Sequence, residues 1–228
     1  MRNGQLKAGY NLQIATENQF VLHYDIYPNP TDTRTLLPFL ESYPHELKRV
    51  VADAGYGSEE NLLTLDRMGV DHLIKYSLFD KEQKKKHKES DRNLDNWTYD
   101  GTADSYTHPE GWVYQFDHVK HNHTTTGFKQ EIRVYKAKQP ESAPQKELYM
   151  NVRYQHLKTK EYQALLSPEG RQIFAQRKID VEPVFGQIKA CLGYKRCNLR
   201  GKRQVKIDMG LVLMANNLLK YNKRVTRI

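Results

Sequence analysis

The sequence predicts an α/β protein in which helices cover a mixed β-sheet. Three observations in the first 77 residues support this class. Two stretches, 10–16 and 20–27, alternate polar and apolar residues with the period of an antiparallel hairpin. A short apolar run at 50–52 leads into a helical pattern and then into another strand pattern at 70–76. Hairpin, helix, strand, helix and strand in this order favour one mixed sheet with covering helices.

The boundaries of these elements have local signals. Residues 28–30 contain two prolines, which end the second hairpin strand because proline cannot donate to a ladder. Thr31 or Asp32 can cap the first helix. Ser58 is the expected N-cap of the helix after the central strand, and Gly69 is its expected C-cap.

Asp53 follows the apolar run 50–52 directly and precedes a turn with two glycines. In open α/β sheets, ligands collect outside the carboxyl ends of the strands, so this position favours a functional carboxylate. A turn aspartate that hydrogen-bonds its own backbone has the same local sequence. Both interpretations fit this stretch when it is considered alone.

Residues 78–150 predict a small β-rich insertion rather than part of the core sheet. Gly, Asp, Thr and Pro separate short strand patterns at 97–99, 112–119 and 128–137. Residues 139–146 contain two prolines and are expected to form a linker.

Two other features of this stretch have a structural and a functional interpretation. The charged run 81–88 is expected to be an exposed loop, and DNA contact is the less favoured alternative. His118, His121 and His123 lie close together in the sequence, but no fourth metal ligand is evident. Surface histidines are therefore the better interpretation than a metal site.

From residue 154 onward the pattern is helical, with a break at 167–170. Pro183 inside a helix would cost about 3 kcal/mol, so we expect a kink or a fresh helix capped near Asp180. The apolar stretch 207–221 is expected to be a core helix.

Glu182 lies among lysines on one predicted helix face. At about 100° per residue, Lys178, Glu182 and Lys189 share a polar side, opposite apolar residues that should pack on the sheet. One interpretation is a set of exposed ion pairs, each worth a few tenths of a kcal/mol. The other is a metal-binding acid whose neighbouring lysines bind phosphate.

The charge distribution indicates a polyanionic partner, above all nucleic acid. The net charge is +9. Residues 171–228 contain 14 Lys and Arg against three acids, whereas the preceding 170 residues contain 22 basic and 24 acidic residues. Such asymmetry is typical of a nucleic-acid-binding surface. The candidate DNA-binding residues are Arg177, Lys178, Lys189, Lys195, Arg196, Arg200, Lys202 and Arg203.

Composition excludes several other classes. Cys191 and Cys197 are the two cysteines, which rules out a disulfide framework and a four-thiolate zinc site. No apolar run approaches the roughly 20 residues that span a bilayer, and no signal peptide opens the chain. We therefore expect a reduced, intracellular protein with no membrane partner.

Two motifs together resemble the DDE transposases of bacterial insertion sequences, most closely the IS1182 group of the IS4/IS5-type superfamily. The first is VADAGYG at 51–57, and the second is DVEPVFGQIK at 180–189. Supporting similarities lie at 9–13, at Asn29 and Asp32, and at 215–218. The resemblance covers nearly the whole chain, and the pairing of the two motifs makes it specific.

The resemblance implies a ribonuclease-H-like fold in three parts: 1–77 and 151–228 form the catalytic core, and 78–150 is the β-rich insertion. It also implies three acids that hold two divalent ions, Mg²⁺ or Mn²⁺, for in-line displacement at DNA phosphate. By motif position, Asp53 is the second acid and Glu182 the third. Lys189 matches the lysine that contacts the transposon end. The family's arginine position holds Lys178 here, and Arg177 is one residue away.

The family's first acid lies on a strand upstream of the hairpin that opens this chain. The expectation is therefore a C-terminal portion of a transposase, from a split or truncated reading frame, that is inactive or nearly so alone. Asp25 is the one strand acid before Asp53 and is a less favoured substitute.

The implied partners are the terminal inverted repeats, target DNA, an upstream transposase fragment and a second copy in a DNA complex. The implied location is the bacterial cytoplasm at the nucleoid. Two alternatives stay open, a non-catalytic DNA-binding remnant and a Mg²⁺-dependent nuclease of the same fold.

Overall fold

The computed structural model describes residues 9–226 as nine strands and seven helices, which confirms the predicted α/β class. The sequence analysis expected no leader at the start of the chain, and this expectation concerns residues 1–8, which lie outside the described range. The strands are β1 (Asn11–Glu17), β2 (Phe20–Tyr27), β3 (Arg49–Ala52), β4 (Asp71–Ile74), β5 (Thr98–Asp100), β6 (Ser105–Thr107), β7 (Val113–His123), β8 (Lys129–Ala137) and β9 (Glu147–Met150). The helices are α1 (Leu36–Glu41), α2 (Glu59–Met68), α3 (Phe79–Glu82), α4 (Lys85–Lys88), α5 (Val152–Leu166), α6 (Pro168–Gly186) and α7 (Lys202–Val225).

The strands form three separate sheets. β1 and β2 are an antiparallel hairpin, as predicted, and β3 and β4 are a parallel pair joined by α2. No hydrogen bonds join these two pairs within residues 9–226, so the single mixed sheet expected from the sequence is present as two short ones. β5 to β9 form a five-stranded antiparallel sheet in sequence order.

The β3–α2–β4 unit has the predicted caps. Ser58 Oγ accepts a hydrogen bond from the backbone N–H of Asn61 at 3.3 Å, and Gly69 ends α2 in the left-handed conformation with φ 67°. Leu62 and Leu65 of α2 are fully buried against Ile74 and neighbouring apolar side chains. Burial of each such leucine contributes about 1.5–3 kcal/mol, so this helix is fixed on the parallel strands.

The structure adds detail to two predictions for residues 78–150. Residues 139–146, the predicted linker, connect β8 to β9 of one sheet, because Glu147–Met150 returns to pair with β8. The charged run 81–88 contains α4 and the end of α3 rather than a plain loop. The sheet has its own apolar cluster, formed by Trp97, Tyr114, Tyr135, Ala137, Leu148 and Met150.

The helix α6 is continuous through the position where a fresh helix was expected. It runs from Pro168 to Gly186, and Asp180 and Pro183 both lie inside it. Proline cannot donate the usual backbone hydrogen bond, and the turn that follows is wound more widely as a π-helix over Gln187–Cys191. Pro183 is therefore accommodated without a helix break, and the change of winding comes after it.

The last helix, α7, packs on β2 with one face only. Val205, Met209 and Leu213 are buried in a cluster with Val21, and Asn217 exchanges hydrogen bonds with the Val21 backbone at 2.8 and 2.9 Å. The prediction of a simple core helix is therefore wrong for the opposite face, which is apolar and exposed. Within the described residues, no helix is both long and apolar enough to span a membrane.

A buried charged cluster fixes α5 against β4. His72 Nδ1 lies 2.6 Å from Glu161 Oε1, and its Nε2 lies 3.3 Å from Asp66 Oδ1. The second oxygen of Glu161 accepts a 2.7 Å hydrogen bond from the Ile74 backbone N–H. Burial by itself would lower the pKa of His72, but the carboxylates of Glu161 and Asp66 outweigh it and raise that pKa above the ordinary value.

We expect Glu161→Gln to destabilise the protein by about 3–5 kcal/mol, because it leaves buried His72 without its nearest counter-charge. In the wild type, the charged imidazole stabilises the fold fully below pH 6.5, and this stabilisation is lost as pH rises through the elevated folded-state pKa. The variant should lack most of this slope. Urea denaturation between pH 5 and 9 measures both effects.

The control for this experiment is Lys160→Gln. Lys160 forms an exposed ion pair with Asp66, so its loss should cost less than about 1 kcal/mol and leave the pH slope in place. Equal losses in the two variants would contradict the assignment of the slope to the buried pair.

Candidate active site at the Asp53 edge

Asp53 ends β3 and fits both sequence interpretations at once. Its Oδ1 accepts a 2.9 Å hydrogen bond from the Ala54 backbone N–H and so caps the short 3-10 turn Ala54–Tyr56. Its side chain is 58% exposed, and the second oxygen, Oδ2, points away from this cap toward α6. One oxygen therefore holds the turn, and the other is left to contact groups outside it.

Arg177 of α6 is the cation at this carboxylate. Its Nη2 lies 3.3 Å from Asp53 Oδ2, and its side chain is only 17% exposed. Arg177 continues the inward stripe that contains Val184 and Ile188, whereas Lys178 is turned out to solvent. The position one residue away from the family's arginine is therefore the one that reaches Asp53.

Asp32 is a second carboxylate beside the same turn, and the sequence analysis gave it no role beyond a cap or a supporting similarity. Its Oδ1 accepts hydrogen bonds from Asn11 Nδ2 at 2.7 Å and Gln13 Nε2 at 3.1 Å. A Cβ placed on Gly55 would lie 3.0 Å from Asp32 Oδ2, so the turn approaches this carboxylate closely. Its inclusion in the family resemblance was the signal that could have indicated such a position.

Tyr56 connects these groups. Its hydroxyl donates to Gln13 Oε1, which places the turn after β3 beside β1. Burial raises the pKa of Tyr56 well above the ordinary value, the charges of Asp32 and Asp53 raise it further, and Arg177 opposes them. Tyr56 is therefore a neutral hydrogen-bond donor at neutral pH.

Glu182 is exposed on α6 and is not joined to Asp53 by any hydrogen bond or ion pair among the described residues. It stands five residues after Arg177, which corresponds to about 140° around the helix. Residues 9–226 contain no group of three or more His, Cys, Asp or Glu side chains arranged to hold a metal ion. The structure thus brings Arg177 to Asp53 and leaves Glu182 apart from both.

Asp25 is engaged elsewhere. Its carboxylate lies 2.8 Å from Lys206 Nζ of α7 and accepts a hydrogen bond from the Ile26 backbone N–H. Burial would raise its pKa, but these contacts outweigh burial and lower it. This ion pair ties β2 to α7, which gives Asp25 a structural partner.

The remaining candidate DNA-binding residues lie on the surface. The Lys189 ammonium lies 5.9 Å from the Phe185 ring centroid, and that of Lys202 lies 5.5 Å from the Tyr27 ring centroid. All of the candidates except Arg177 are exposed, namely Lys178, Lys189, Lys195, Arg196, Arg200, Lys202 and Arg203. The C-terminal third therefore presents a basic, solvent-accessible surface.

The five-stranded sheet is anchored beside this edge through Glu59, the first residue of α2. The buried Glu59 carboxylate accepts hydrogen bonds from Gln130 at 2.8 Å, Asn151 at 2.7 Å and Arg153 at 2.6 Å. The neighbouring cavity, about 310 Å³ in volume, is lined by hydroxyl groups of the β7–β8 turn and of residues 31–33. His118, His121 and His123 form no metal cluster with other described side chains.

The turn after Asp53 depends on Gly57. A Cβ at this position would lie 2.2 Å from the Lys75 carbonyl oxygen and 2.7 Å from Tyr76 Cα, which are backbone atoms at the end of β4. Gly57→Ala should therefore destabilise the protein by about 2–3 kcal/mol in urea denaturation. Gly186→Ala is the matched control, because no heavy atom lies within 4 Å of its Cβ position. It should be neutral or stabilising by up to about 1 kcal/mol, and a cost equal to that of Gly57→Ala would contradict the steric explanation.

Arg177→Gln should raise the affinity of the chain for Mn²⁺, because the ion then no longer competes with a cation already beside Asp53 Oδ2. A partly exposed ion pair is worth up to about 1 kcal/mol, so calorimetry should give a gain of about two- to fivefold. Lys178→Gln removes the same charge from the next position and should change little. Equal gains in both variants would indicate net charge rather than the Asp53 contact.

Comparison with known proteins identifies the family. A family model described as "Transposase DDE domain" matches residues 1–218. No curated protein and no solved structure matches this chain. Domains of this family generally depend on divalent metal ions and act on DNA. Since the match spans almost the whole sequence, the chain belongs to the DDE transposase domain family.

Proposed function

We propose that this chain is the C-terminal part of a DDE transposase of the IS1182 group, acting in strand cleavage and transfer at insertion-sequence ends. The observation that carries the proposal is Asp53, presented at the carboxyl end of β3 with one oxygen directed away from its own turn. The family match and the exposed basic surface of the C-terminal third support DNA as the partner. The partners would be terminal inverted repeats and target DNA, in the cytoplasm at the nucleoid.

Asp53 and Glu182 are the residues that would hold the metal. Both are accessible carboxylates, and carboxylate oxygens are the ligands that Mg²⁺ and Mn²⁺ prefer. When bound, a pair of such ions activates the attacking water or 3′-hydroxyl and stabilises the leaving oxygen. Glu182 would have to approach Asp53 for this, since no hydrogen bond or ion pair joins the two among the described residues.

The chain's own residues would bind and orient the DNA. Lys178 and Lys189 are exposed on the same C-terminal part of the protein and would contact the phosphates of the transposon end. Arg177 pairs with Asp53 in the structure, and its guanidinium would pair with a phosphate instead when DNA is bound. Arg177 would therefore pair with either of two anions, the Asp53 carboxylate or a DNA phosphate.

A third carboxylate would come from an additional strand. β1 and β3 have no hydrogen-bonded partner on their outer edges among the described residues, although Tyr56 and Gln13 hold them side by side. A ribonuclease-H-like sheet would carry its first strand, with the first acid, between these two edges. We therefore infer that an upstream transposase segment completes the site and that the chain alone is inactive or nearly so.

A second candidate function is a non-catalytic DNA-binding remnant. The separation of Glu182 from Asp53 and the exposed basic residues favour it. In this case DNA binding would fall steeply with salt, and Asp53→Ala or Glu182→Ala would leave it unchanged. The 78–150 sheet would then help to position DNA without any chemistry.

Titration of Mn²⁺ or Mg²⁺ by calorimetry into the wild type, Asp53→Ala and Glu182→Ala separates these functions. The transposase proposal predicts weak metal binding that falls at least about tenfold in each variant, because each removes one of two carboxylate ligands. Glu169→Ala removes an exposed acid of α6 far from Asp53 in sequence and serves as the control. Binding that is absent, or equal in all four proteins, would favour the DNA-binding remnant.

A further inference from the structure

α7 carries a second apolar face on the side away from β2. Val205, Met209 and Leu213 are buried on the first face. Six large apolar side chains on the second face are 49–62% exposed, and we call them the α7 seam: Ile207, Leu211, Met214, Leu218, Tyr221 and Val225. Isolated exposed apolar residues are common, but a continuous row of six along one helix marks an interaction surface.

The α7 seam has the spacing of a coiled-coil interface. Its members are separated alternately by four and three residues over the whole series. This repeat of 3.5 residues keeps the row facing one partner helix and favours a left-handed supercoil. With 24 residues, α7 is about 36 Å long, enough for more than three heptads.

We propose that the α7 seam binds a second copy of this chain as a parallel two-stranded coiled coil. In this register, Leu211, Leu218 and Val225 occupy the a positions, and Ile207, Met214 and Tyr221 occupy the d positions. Covering the seam removes on the order of 600 Å² from each copy, about the size of the smaller specific interfaces, which bury about 1,200 Å² in total. The seam is self-complementary, as a two-fold interface requires.

The flanking charges select the parallel orientation. Arg203 then occupies a g position beside Asp208 of the partner subunit at an e position, where opposite charges attract. Asp208 Oδ2 accepts from the Tyr194 hydroxyl at 2.7 Å, which leaves Oδ1 for this contact. An antiparallel pair that covers all six seam residues would instead place Asp208 beside Asn222 of the partner subunit and would gain no attraction between opposite charges.

This inference goes beyond the proposed function and does not depend on it, because it uses the surface of α7 alone. It also has a consequence for DNA. In a parallel pair, the basic residues at and just before the start of the two α7 helices lie at the same end of the coiled coil. Arg200, Lys202 and Arg203 of both copies would then form one continuous basic surface.

The test is sedimentation velocity of the full 228-residue chain over a concentration series. The wild type should reach twice the chain mass, and Leu211→Lys/Leu218→Lys should stay monomeric at least tenfold above the wild-type midpoint. Leu219→Lys is the matched control, since Leu219 is an exposed leucine of the same helix outside the seam. Circular dichroism of all three proteins verifies that the fold is kept.

Each outcome decides the proposal. A wild type that stays monomeric up to about 100 µM, where even weak pairs associate, would overturn it. So would a dimer that survives in the double variant, or one that Leu219→Lys disrupts equally. Leu218→Cys in a Cys191→Ser/Cys197→Ser background should cross-link to itself under oxidation. A dimer that does not cross-link would overturn the parallel arrangement.

Discussion

The architecture depends on the buried carboxylate of Glu59. This residue opens α2, directly after the turn that carries Asp53, and its oxygens accept from donors on β8, on α5 and on the residue between β9 and α5. A buried carboxylate is tolerated only when such donors satisfy it, so each of these elements is fixed relative to α2. The five-stranded sheet and the core helices are therefore held at one point beside the candidate active site.

The Asp53 edge is controlled by a balance of charge. Asp32 and Asp53 lie on either side of one turn, and Arg177 supplies the nearest positive charge. Glu182 forms no ion pair with these groups among the described residues. Bringing it to Asp53 would add negative charge to a site that already has two carboxylates, so the approach requires a cation to compensate.

Local signals predicted the elements well and their assembly less well. The hairpin, the Ser58 and Gly69 caps and the strand before Asp53 are set by neighbouring residues, and each is present as expected. β9 was missed because its four residues follow a proline-containing stretch and gain strand structure only by pairing with β8. Asp32 was not assigned to the site, and Arg177 was assigned to DNA rather than to Asp53, because contacts across more than 20 residues leave no periodic trace in the sequence.

The π-helical turn over Gln187–Cys191 changes how the second motif must be compared with related sequences. In a π-helix each residue is rotated about the axis by a smaller angle than in an α-helix. The Lys189 side chain therefore points in a different direction from the one that an unbroken α-helix would give it. An interval of seven residues from Glu182 is therefore a distance along the chain and not a direction in space. Two proteins that share this interval align in geometry only when both contain the same change of winding.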